Sequence, residues 1–451
     1  MAIIAPFKGL TYNYKKISHL SRLVTPPYDV ISPDEQEKYY GADPYNVIRL
    51  ILGKKKTGDS DWDNRYTRSA DYLKRWESED ILIRAESPCM YITSLTYDPG
   101  DGNGARIRWG LIALVRIEDD SSGVILPHEK TFSAHKDDRL RLMRSCSAQL
   151  SQIFGLYEDP NNLVSSCLKK TLESPPEISF DLKDGTSHRM WIVDDESTFQ
   201  KVADAMKERA IFIADGHHRY ETSRNFRNIL RARYGARPPN RSYEYVMMYL
   251  TNMDDAGLTI LPSHRLIKRW PGLEISPFFK KLERWFEISI LRPSSLDRSL
   301  QLRNFQEMLA KKVNITSAIG FYLNSDENFY LFSLKPGARN EMGEDIPPSL
   351  KELDVLVLSH FILQKSLGFN NNDLDNEKLF HYTSDMGKAV SLVDSGACQM
   401  TFLLNPTKMR HVKEVASNSL IMPRKSTYFS PKTLTGLVFN KIDPHETIMS
   451  P

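Results

Sequence analysis

The 451-residue chain is poor in cysteine, and its four cysteines, Cys89, Cys146, Cys167 and Cys398, are widely scattered with no Cys-x-x-Cys pair. Such spacing argues against a zinc knuckle or a disulfide framework and suits reduced thiols in the cytoplasm. Long apolar runs are missing as well. No segment reaches the roughly 18 apolar residues needed to span a bilayer. The opening Met1–Lys8 stretch has neither a basic n-region nor an adequate apolar one, so a soluble, unexported, cytoplasmic protein is expected. Charge of one sign is also lacking: Lys+Arg 60 against Asp+Glu 57 leaves +3. That balance argues against a nucleic-acid coat or a membrane-surface role, and neither nucleic acid nor membrane is an expected partner. No repeat or low-complexity tract stands out. What remains, 41% hydrophobic and 26% charged, is ordinary globular composition, and the length allows two or three domains.

One stretch organises the rest. Ala210-Ile211-Phe212-Ile213-Ala214 reads as a short buried strand. Asp215-Gly216 follows as a turn that tolerates positive φ, and Asp215 can cap a new helix. From His217 to about Arg233 the pattern is helical, with Phe226, Ile229 and Leu230 on one face. Strand, tight turn and helix present amide donors and a positive dipole end to an anion. Here the first turn adds His217, His218 and Arg219, which can donate to or grip a phosphate. Two other readings stay open. The histidines can simply sit on the surface of a helix start, or His217 or His218 can pair with Glu221 on one helical face around a metal.

The string Ile213-Ala214-Asp215-Gly216-His217-His218-Arg219-Tyr220-Glu221-Thr222 resembles the hallmark of the bacterial and archaeal family known as domain of unknown function 1015. Further strings agree in order along the chain: Pro6-Phe7-Lys8-Gly9, Pro26-Pro27-Tyr28-Asp29-Val30-Ile31-Ser32-Pro33, Leu126-Pro127-His128-Glu129-Lys130-Thr131 and Met422-Pro423-Arg424-Lys425-Ser426-Thr427-Tyr428-Phe429. More distantly, Asp-Gly-His-His-Arg after a strand is similar to the nucleotide motif of the ParB/sulfiredoxin-like superfamily, in particular its free serine kinases. That resemblance implies a nucleotide-binding core of that type within a larger N-terminal domain. It implies phosphate binding by Asp215, Gly216, His217, His218 and Arg219, and a glutamate base toward a serine hydroxyl at Glu129, beside His128. The wide spacing between Glu129 and Asp215 implies an insertion from about Phe154 to Glu208.

The remaining chain reads as alternating strands and helices. Ser32, Pro33 and Glu35 form a capping box that opens a helix after a stiff proline loop, which can carry Tyr28 and Asp29 into a pocket. Tyr66–Glu77 is an amphipathic helix on Ala70, Leu73 and Trp76. Met90–Thr96 and Ile107–Ile117 form a hairpin, and Gly123–Thr131 holds a short strand ending on Glu129. The charged run His135–Arg144 is a solvated helix face or a cationic wall. Leu163–Leu172 and Glu196–Arg209 are helices and Tyr245–Asn252 is a buried strand. The strand–helix alternation suggests a parallel sheet with the motif at a carboxyl end. Leu258–Leu261 is a strand running into Pro262-Ser263-His264-Arg265, where His264 and Arg265 can reach the pocket or form a surface turn. Beyond a boundary near 268–295, expected helices are Pro277–Phe286, Leu302–Lys312, Ser349–Leu367, Met386–Val393 and Lys408–Ala416, with a hairpin of Ser317–Leu323 and Asn328–Leu334 and a strand Cys398–Leu404. The expected fold is therefore mixed α/β (α+β): an N-terminal α/β domain over 1–275 and a C-terminal α+β domain over 276–451.

The C-terminal loop Arg424–Lys432 offers an oxyanion grip from Arg424, Lys425, Ser426 and Thr427, or a solvated basic loop. The leading function is phosphoryl transfer to a small hydroxyl metabolite, serine-like, from ATP or ADP with Mg²⁺ possible on Asp215 and Glu129 as base. His128 and His217 are further catalytic candidates, with His217 or His218 as nucleophile or acid in a phosphatase. The alternatives are a phosphatase acting on a phospho-amino acid such as phosphoserine, a ParB-like nucleotide switch, and a His/Glu metalloenzyme on His217, His218 and Glu221. The expected partner is a phosphate-bearing small molecule; the oligomeric state stays open.

Overall fold

The computed structural model describes residues 1–100, 102–129, 133–292, 297–313, 315–376 and 378–449. Lys130 and Thr131 of the Leu126–Thr131 string, and the side chain of His135, lie outside what is described. The chain forms two compact units. One comprises Met1–Pro127, Thr131–Thr259 and Pro431–Pro451; the other comprises His128–Lys130 and Ile260–Ser430.

The first unit is built on a nine-stranded sheet: β1 (Ile4–Ala5), β2 (Met90–Tyr97), β3 (Arg106–Arg116), β4 (Ile125–Leu126), β5 (Ile153–Tyr157), β6 (Ile178–Asp181), β7 (Ser187–Val193), β8 (Ile211–Asp215) and β9 (Tyr245–Asn252). The order is β4-β8-β5-β9-β3-β2-β7-β6, with β1 beside β3. Only β4/β8 and β5/β9 pair in parallel. The ladders β8/β5, β9/β3, β2/β3, β7/β2, β7/β6 and β1/β3 are antiparallel. The parallel sheet expected from sequence is thus corrected to a mixed one. The physical reason is connection length: β2–β3 and β6–β7 are joined by short turns, which permit only antiparallel neighbours.

Central strands are buried along nearly their whole length, β9 at every residue but Asn252, because both sheet faces are covered. On one face Ile92, Leu111, Val115, Ile153, Met248 and Leu250 pack against Val164 and Leu168 of the Leu163–Leu172 helix and Phe199, Val202 and Met206 of the Glu196–Met206 helix. In chain order the helices used below are α1 (Arg65–Ser78), α2 (Ser133–Cys146), α3 (Leu163–Leu172), α4 (Glu196–Met206) and α5 (His217–Tyr234). α1 buries Ala70, Leu73 and Trp76, the apolar stripe its spacing demands. The capping box at Ser32 and Glu35 forms. α5 buries Phe226 and Leu230, but Ile229 is 40% exposed; its buried face is completed instead by Tyr220, Thr222, Ser223 and Arg227. The strand expected over 123–131 is confined to Ile125–Leu126.

On the opposite sheet face Arg108 is fully buried, with Phe154 at 4.9 Å and Tyr249 at 5.5 Å from ring centre to guanidinium. Its Nη1 donates to the Pro431 carbonyl at 2.6 Å, which anchors the final segment in this unit. That segment also meets Thr25 through Thr435, Leu10 through Phe439, and Ala148–Gln149 through Asn440–Lys441.

The second unit holds a six-stranded sheet of β10 (His264–Ile267), β11 (Phe286–Leu291), β12 (Ala318–Leu323), β13 (Phe329–Leu334), β14 (Phe380–Thr383) and β15 (Met400–Leu403). Its order is β11-β13-β12-β15-β10-β14, and every ladder is antiparallel. Its helices include α6 (Ile275–Leu282), α7 (Arg298–Lys312), α8 (Met386–Asp394) and α9 (Met409–Ser417). Phe305, Leu309, Tyr322, Phe329, Leu331 and Val390 fill its core. Three expectations need correction. The helix read over 277–286 stops at Leu282, and Phe286 opens β11. The long helix read over 349–367 is broken at Leu353, whose backbone is extended (φ −78°, ψ 122°). It resumes at Asp354 and widens to π-type turns over Leu358–Ser366. There the Ser366 hydroxyl bonds the Phe361 carbonyl at 2.8 Å, a local competitor to the helix ladder. Finally, His264 and Arg265 do not form a surface turn; they open β10, exposed by only 1% and 5%.

Gly110 lies under the Tyr249 ring: a Cβ there would meet Tyr249 Cζ and Cε2 at 2.1 and 2.2 Å. Gly110→Ala is expected to lower unfolding free energy by about 1–3 kcal/mol, the usual cost of overpacking, seen as a lower urea midpoint at unchanged m-value.

Candidate functional site

The sequence Ile211–Asp215 folds as an interior strand, and its register against β5 shifts between Ile213 and Asp215. Gly216 follows at φ 96°, a left-handed conformation that costs any residue with a Cβ. Glycine is needed for space as well, since a Cβ would lie 2.9 Å from Arg219 Nε and 3.0 Å from its Cζ. α5 then starts at His217, its first turn closed by Tyr220 N–H to the Gly216 carbonyl at 2.9 Å. The cap residue itself supplies no side-chain acceptor.

The Asp215 carboxylate gathers two cations. Arg219 Nη2 donates to Oδ2 at 2.6 Å and Lys432 Nζ to Oδ1 at 2.9 Å. All three side chains are largely buried, at 14%, 9% and 12% exposure for Asp215, Arg219 and Lys432. Arg219 also donates through Nη1 to the Gln152 carbonyl. Two arms of its guanidinium therefore hold protein acceptors, where the sequence reading gave it a bidentate phosphate grip. Each Asp215 oxygen thus accepts from one cation. Lys432 lies in the Arg424–Lys432 stretch but was not singled out. Nothing local marks it; Arg108, by fixing Pro431, sets it in place.

His217 is buried, and burial pushes its pKa down to about 3, with Asp215 opposing and His218, Lys432 and Arg219 assisting. It is neutral at pH 7, able to donate one hydrogen bond and accept another but carrying no charge for an anion. His218 is half-buried. Glu221, a proposed metal partner, is ion-paired to Lys136 at 2.8 Å. Among the described residues no group of three or more His, Cys, Asp or Glu side chains is arranged to hold a metal ion.

Tyr28 reaches this neighbourhood. The Arg139 guanidinium lies 3.9 Å from its ring centre, and Tyr28, Arg139, Arg219, Thr222 and Ser223 share the wall of a cavity of ≈ 40 Å³. Burial raises the Tyr28 phenol to about 12. Asp29 is exposed. Arg139 is held by Asp138 and by the Ile51 carbonyl at 2.7 Å, which makes the charged run of α2 partly a buried wall.

The second unit collects the other candidates. Residues 422–427 wrap His128–Glu129: Met422 N–H bonds the His128 carbonyl at 2.8 Å, Lys425 N–H reaches Glu129 Oε1 at 3.4 Å, and the His128 ring meets Thr427 Oγ1 at 3.2 Å. Lys425 is left-handed at φ 54°. The Ser426 hydroxyl bonds the Pro423 carbonyl at 2.5 Å, and its own carbonyl accepts from Thr407 at 2.6 Å. Arg265 donates to the Arg424 carbonyl and to Ser359 Oγ, each at 3.0 Å. His264 Nδ1 accepts from Leu404 N–H at 3.1 Å, and burial lowers its pKa to about 4. The structure thus brings together His128, Glu129, Arg265, Arg424, Lys425, Ser426 and Thr427, with hydroxyls and carbonyls that tie down the loop. His264 stands apart in its strand ladder.

Residues 4–356 match the family described as "Protein of unknown function (DUF1015)", and the chain belongs to it. Solved structures similar to this chain include a conserved hypothetical protein from Pyrococcus furiosus, with 10% identity, TM-score 0.33, and 75% of this chain and 95% of that one covered. A free serine kinase in complex with AMP matches at 12% identity and TM-score 0.33, over 72% and 92%. SbnI with C-terminal truncation from Staphylococcus aureus matches at 9% identity and TM-score 0.33, over 72% and 85%. No curated protein matches in sequence. Among the described residues no helix is long and apolar enough to cross a membrane.

The neutral His217 gives a pH signature. Unfolded, it takes a proton near its ordinary 6.5; folded, it does so only near 3. Its contribution is complete above 6.5 and is lost as pH falls from there toward 3. Between pH 7 and 5 this should cost about 2 kcal/mol. His217→Gln should flatten the unfolding free energy across that interval by a similar amount, measured by urea denaturation at each pH; an unchanged slope would mean His217 is protonated in the folded protein.

Proposed function

We propose that the protein is a nucleotide-dependent phosphotransferase acting on a small hydroxyl metabolite, with serine the first acceptor to try. The region around β8 and α5 is its nucleotide-binding core, of the ParB/sulfiredoxin-like kind. One observation carries this reading: two largely buried cations, Arg219 and Lys432, converge on a single carboxylate at the start of an 18-residue helix. Two largely buried cations beside one carboxylate make an attraction for an anion. His217 is held neutral and does not add to it, while the helix start does. A phosphate group answers that attraction, and amides beside a left-handed glycine suit its oxygens.

Phosphoryl transfer asks mainly for positioning and charge neutralisation. ATP or ADP is the donor to test. In the proposed step Glu129 takes the acceptor's hydroxyl proton as the hydroxyl oxygen bonds the terminal phosphorus. The bridging P–O bond breaks, and its electron pair leaves with the shortened nucleotide. Glu129 receives this role from the resemblance to free serine kinases, and its carboxylate is steadied by the Lys425 amide.

Calorimetry with ADP and ATP tests the first half. Lys432→Met should weaken binding by about 1.5–3 kcal/mol, the range for a charged hydrogen bond. Equal affinity in the variant, or no nucleotide binding by the wild type, would sink the reading. Glu129→Gln should keep nucleotide affinity while phosphoserine formation from serine falls about 10²–10⁴-fold; full-rate turnover would remove Glu129 as base.

A further inference from the structure

A cavity of ≈ 330 Å³ lies wholly within the first unit, on the sheet face that α3 covers. Asp215, Arg219 and Lys432 take no part in its wall, which is mainly apolar. Ile92, Leu111 and Leu250 of the sheet face Leu168 and Leu172 of α3 across it. Trp109 closes one side; it is 37% exposed, and its ring is tilted against that of Trp191 at 5.7 Å. Close-packed interiors seldom leave a space this large, and water against an apolar wall finds few partners. The volume is that of a small-molecule site.

Two polar groups on this wall lack the partners their burial calls for. Tyr157 is 5% exposed, and its hydroxyl makes no hydrogen bond with any described residue. A buried phenol usually finds one. Asp255 is half-buried on the same wall. Its Oδ1 accepts from Gly257 N–H at 2.8 Å and its Oδ2 from Trp109 N–H at 3.3 Å, and it makes no ion pair among the described residues. The turn that carries it is fixed in turn by the Tyr97 hydroxyl, which donates to the Gly257 carbonyl at 3.0 Å. The carboxylate is thus held at the cavity by backbone amides and has no counter-charge.

The electrostatics agree with that geometry. Burial raises the Asp255 carboxyl above its ordinary value, against the pull of the Gly257 and Trp109 amides and of Arg108. Burial also raises the Tyr157 phenol, followed by Asp159 and Asp255, so the Asp255 charge is felt at that hydroxyl. Asp159 is occupied by Arg209 at 2.7 Å. Of the residues on the wall Lys169 alone is cationic; it is exposed on α3 and forms no ion pair with Asp255.

We infer that this cavity binds a small apolar amine, its ammonium on the Asp255 carboxylate and the Tyr157 hydroxyl and its hydrocarbon part against Trp109, Leu111 and Leu168. An ammonium brings the donors and the charge that the two polar groups lack, and an indole face adds attraction for a cation. A plain hydrocarbon would leave both groups unanswered, and an anion would meet the Asp255 charge. The site is separate from the Asp215 turn, and its test does not depend on any phosphotransferase activity.

Equilibrium dialysis of the full chain at pH 7 against phenethylamine provides the test, with 3-phenylpropanoate as a probe of the same body and opposite charge. Phenethylamine should bind at least tenfold more tightly than the anion. No binding of the amine, or equal binding of the two, overturns the proposal; tighter binding of the anion would give the wall to Lys169 and overturn it too. Asp255→Asn keeps an oxygen for the turn amides and should raise the dissociation constant of phenethylamine about tenfold; an unchanged constant sinks the idea. Tyr157→Phe removes only a hydroxyl that holds no described partner, so the fold is kept. It should raise the same constant about threefold, and an unchanged value overturns the placement of the ammonium.

Discussion

Everything in the first unit converges on the carboxylate of Asp215. Its two oxygens hold Arg219, four residues along the same helix start, and Lys432, more than two hundred residues away. Burying three charges is expensive, and a single pair would be no better than apolar packing. The arrangement persists because each member has further support. Arg219 also bonds the Gln152 carbonyl. Lys432 follows Pro431, whose carbonyl is held by Arg108 between two aromatic rings. Gly216 leaves the space that the guanidinium fills. A carboxylate, a glycine and a pair of aromatic rings are thus parts of one device that keeps two cations together.

The second unit treats its buried cation differently. Arg265 is 5% exposed, and its donors go to a carbonyl and a hydroxyl rather than to a carboxylate. Burial lowers its pKa, with Tyr382 and then Glu129 pulling the other way. Neutral acceptors satisfy hydrogen-bond geometry but not charge, so Glu129 carries much of the electrostatic balance in that neighbourhood. The hydroxyls of residues 422–427 do not form an open grip: Ser426 closes its own turn, and Thr427 meets His128. A string rich in cations and hydroxyls need not be a ligand loop. Here it is first a wrapping for His128–Glu129.

Features set by neighbours in sequence were legible. The strand, Asp-Gly turn and helix of 211–234, the hairpin of 90–116, the capping box at Ser32 and Glu35, and the stripe on α1 each follow from spacing and turn chemistry. Features set by distant partners were not. The strand–helix alternation around 153–215 suggested parallel pairing, yet β8 runs antiparallel to β5 because strand order depends on which strands meet, not on which follow. Ile229 has the right spacing for the core but is 40% exposed, while Arg227 is buried by bonding the Ile117 carbonyl. Lys432 looked like one cation of a basic loop. Its role comes from a contact with no local period, and no pattern read along the chain contains it.

The same logic explains why histidines mislead at such a turn. His-His-Arg at a helix start suggests three positive groups aimed at an anion, but burial decides which of them carries charge. His217, enclosed among Asp215, Lys432 and Arg219, is neutral; the positive charge sits on Arg219 and Lys432 instead. The motif therefore divides its labour. The imidazole offers direction through hydrogen bonds, and part of the positive charge beside Asp215 comes from a residue outside the motif. That cluster loses one of its cations if the C-terminal segment detaches, even with the hallmark string intact, and this ties its charge to completion of the fold.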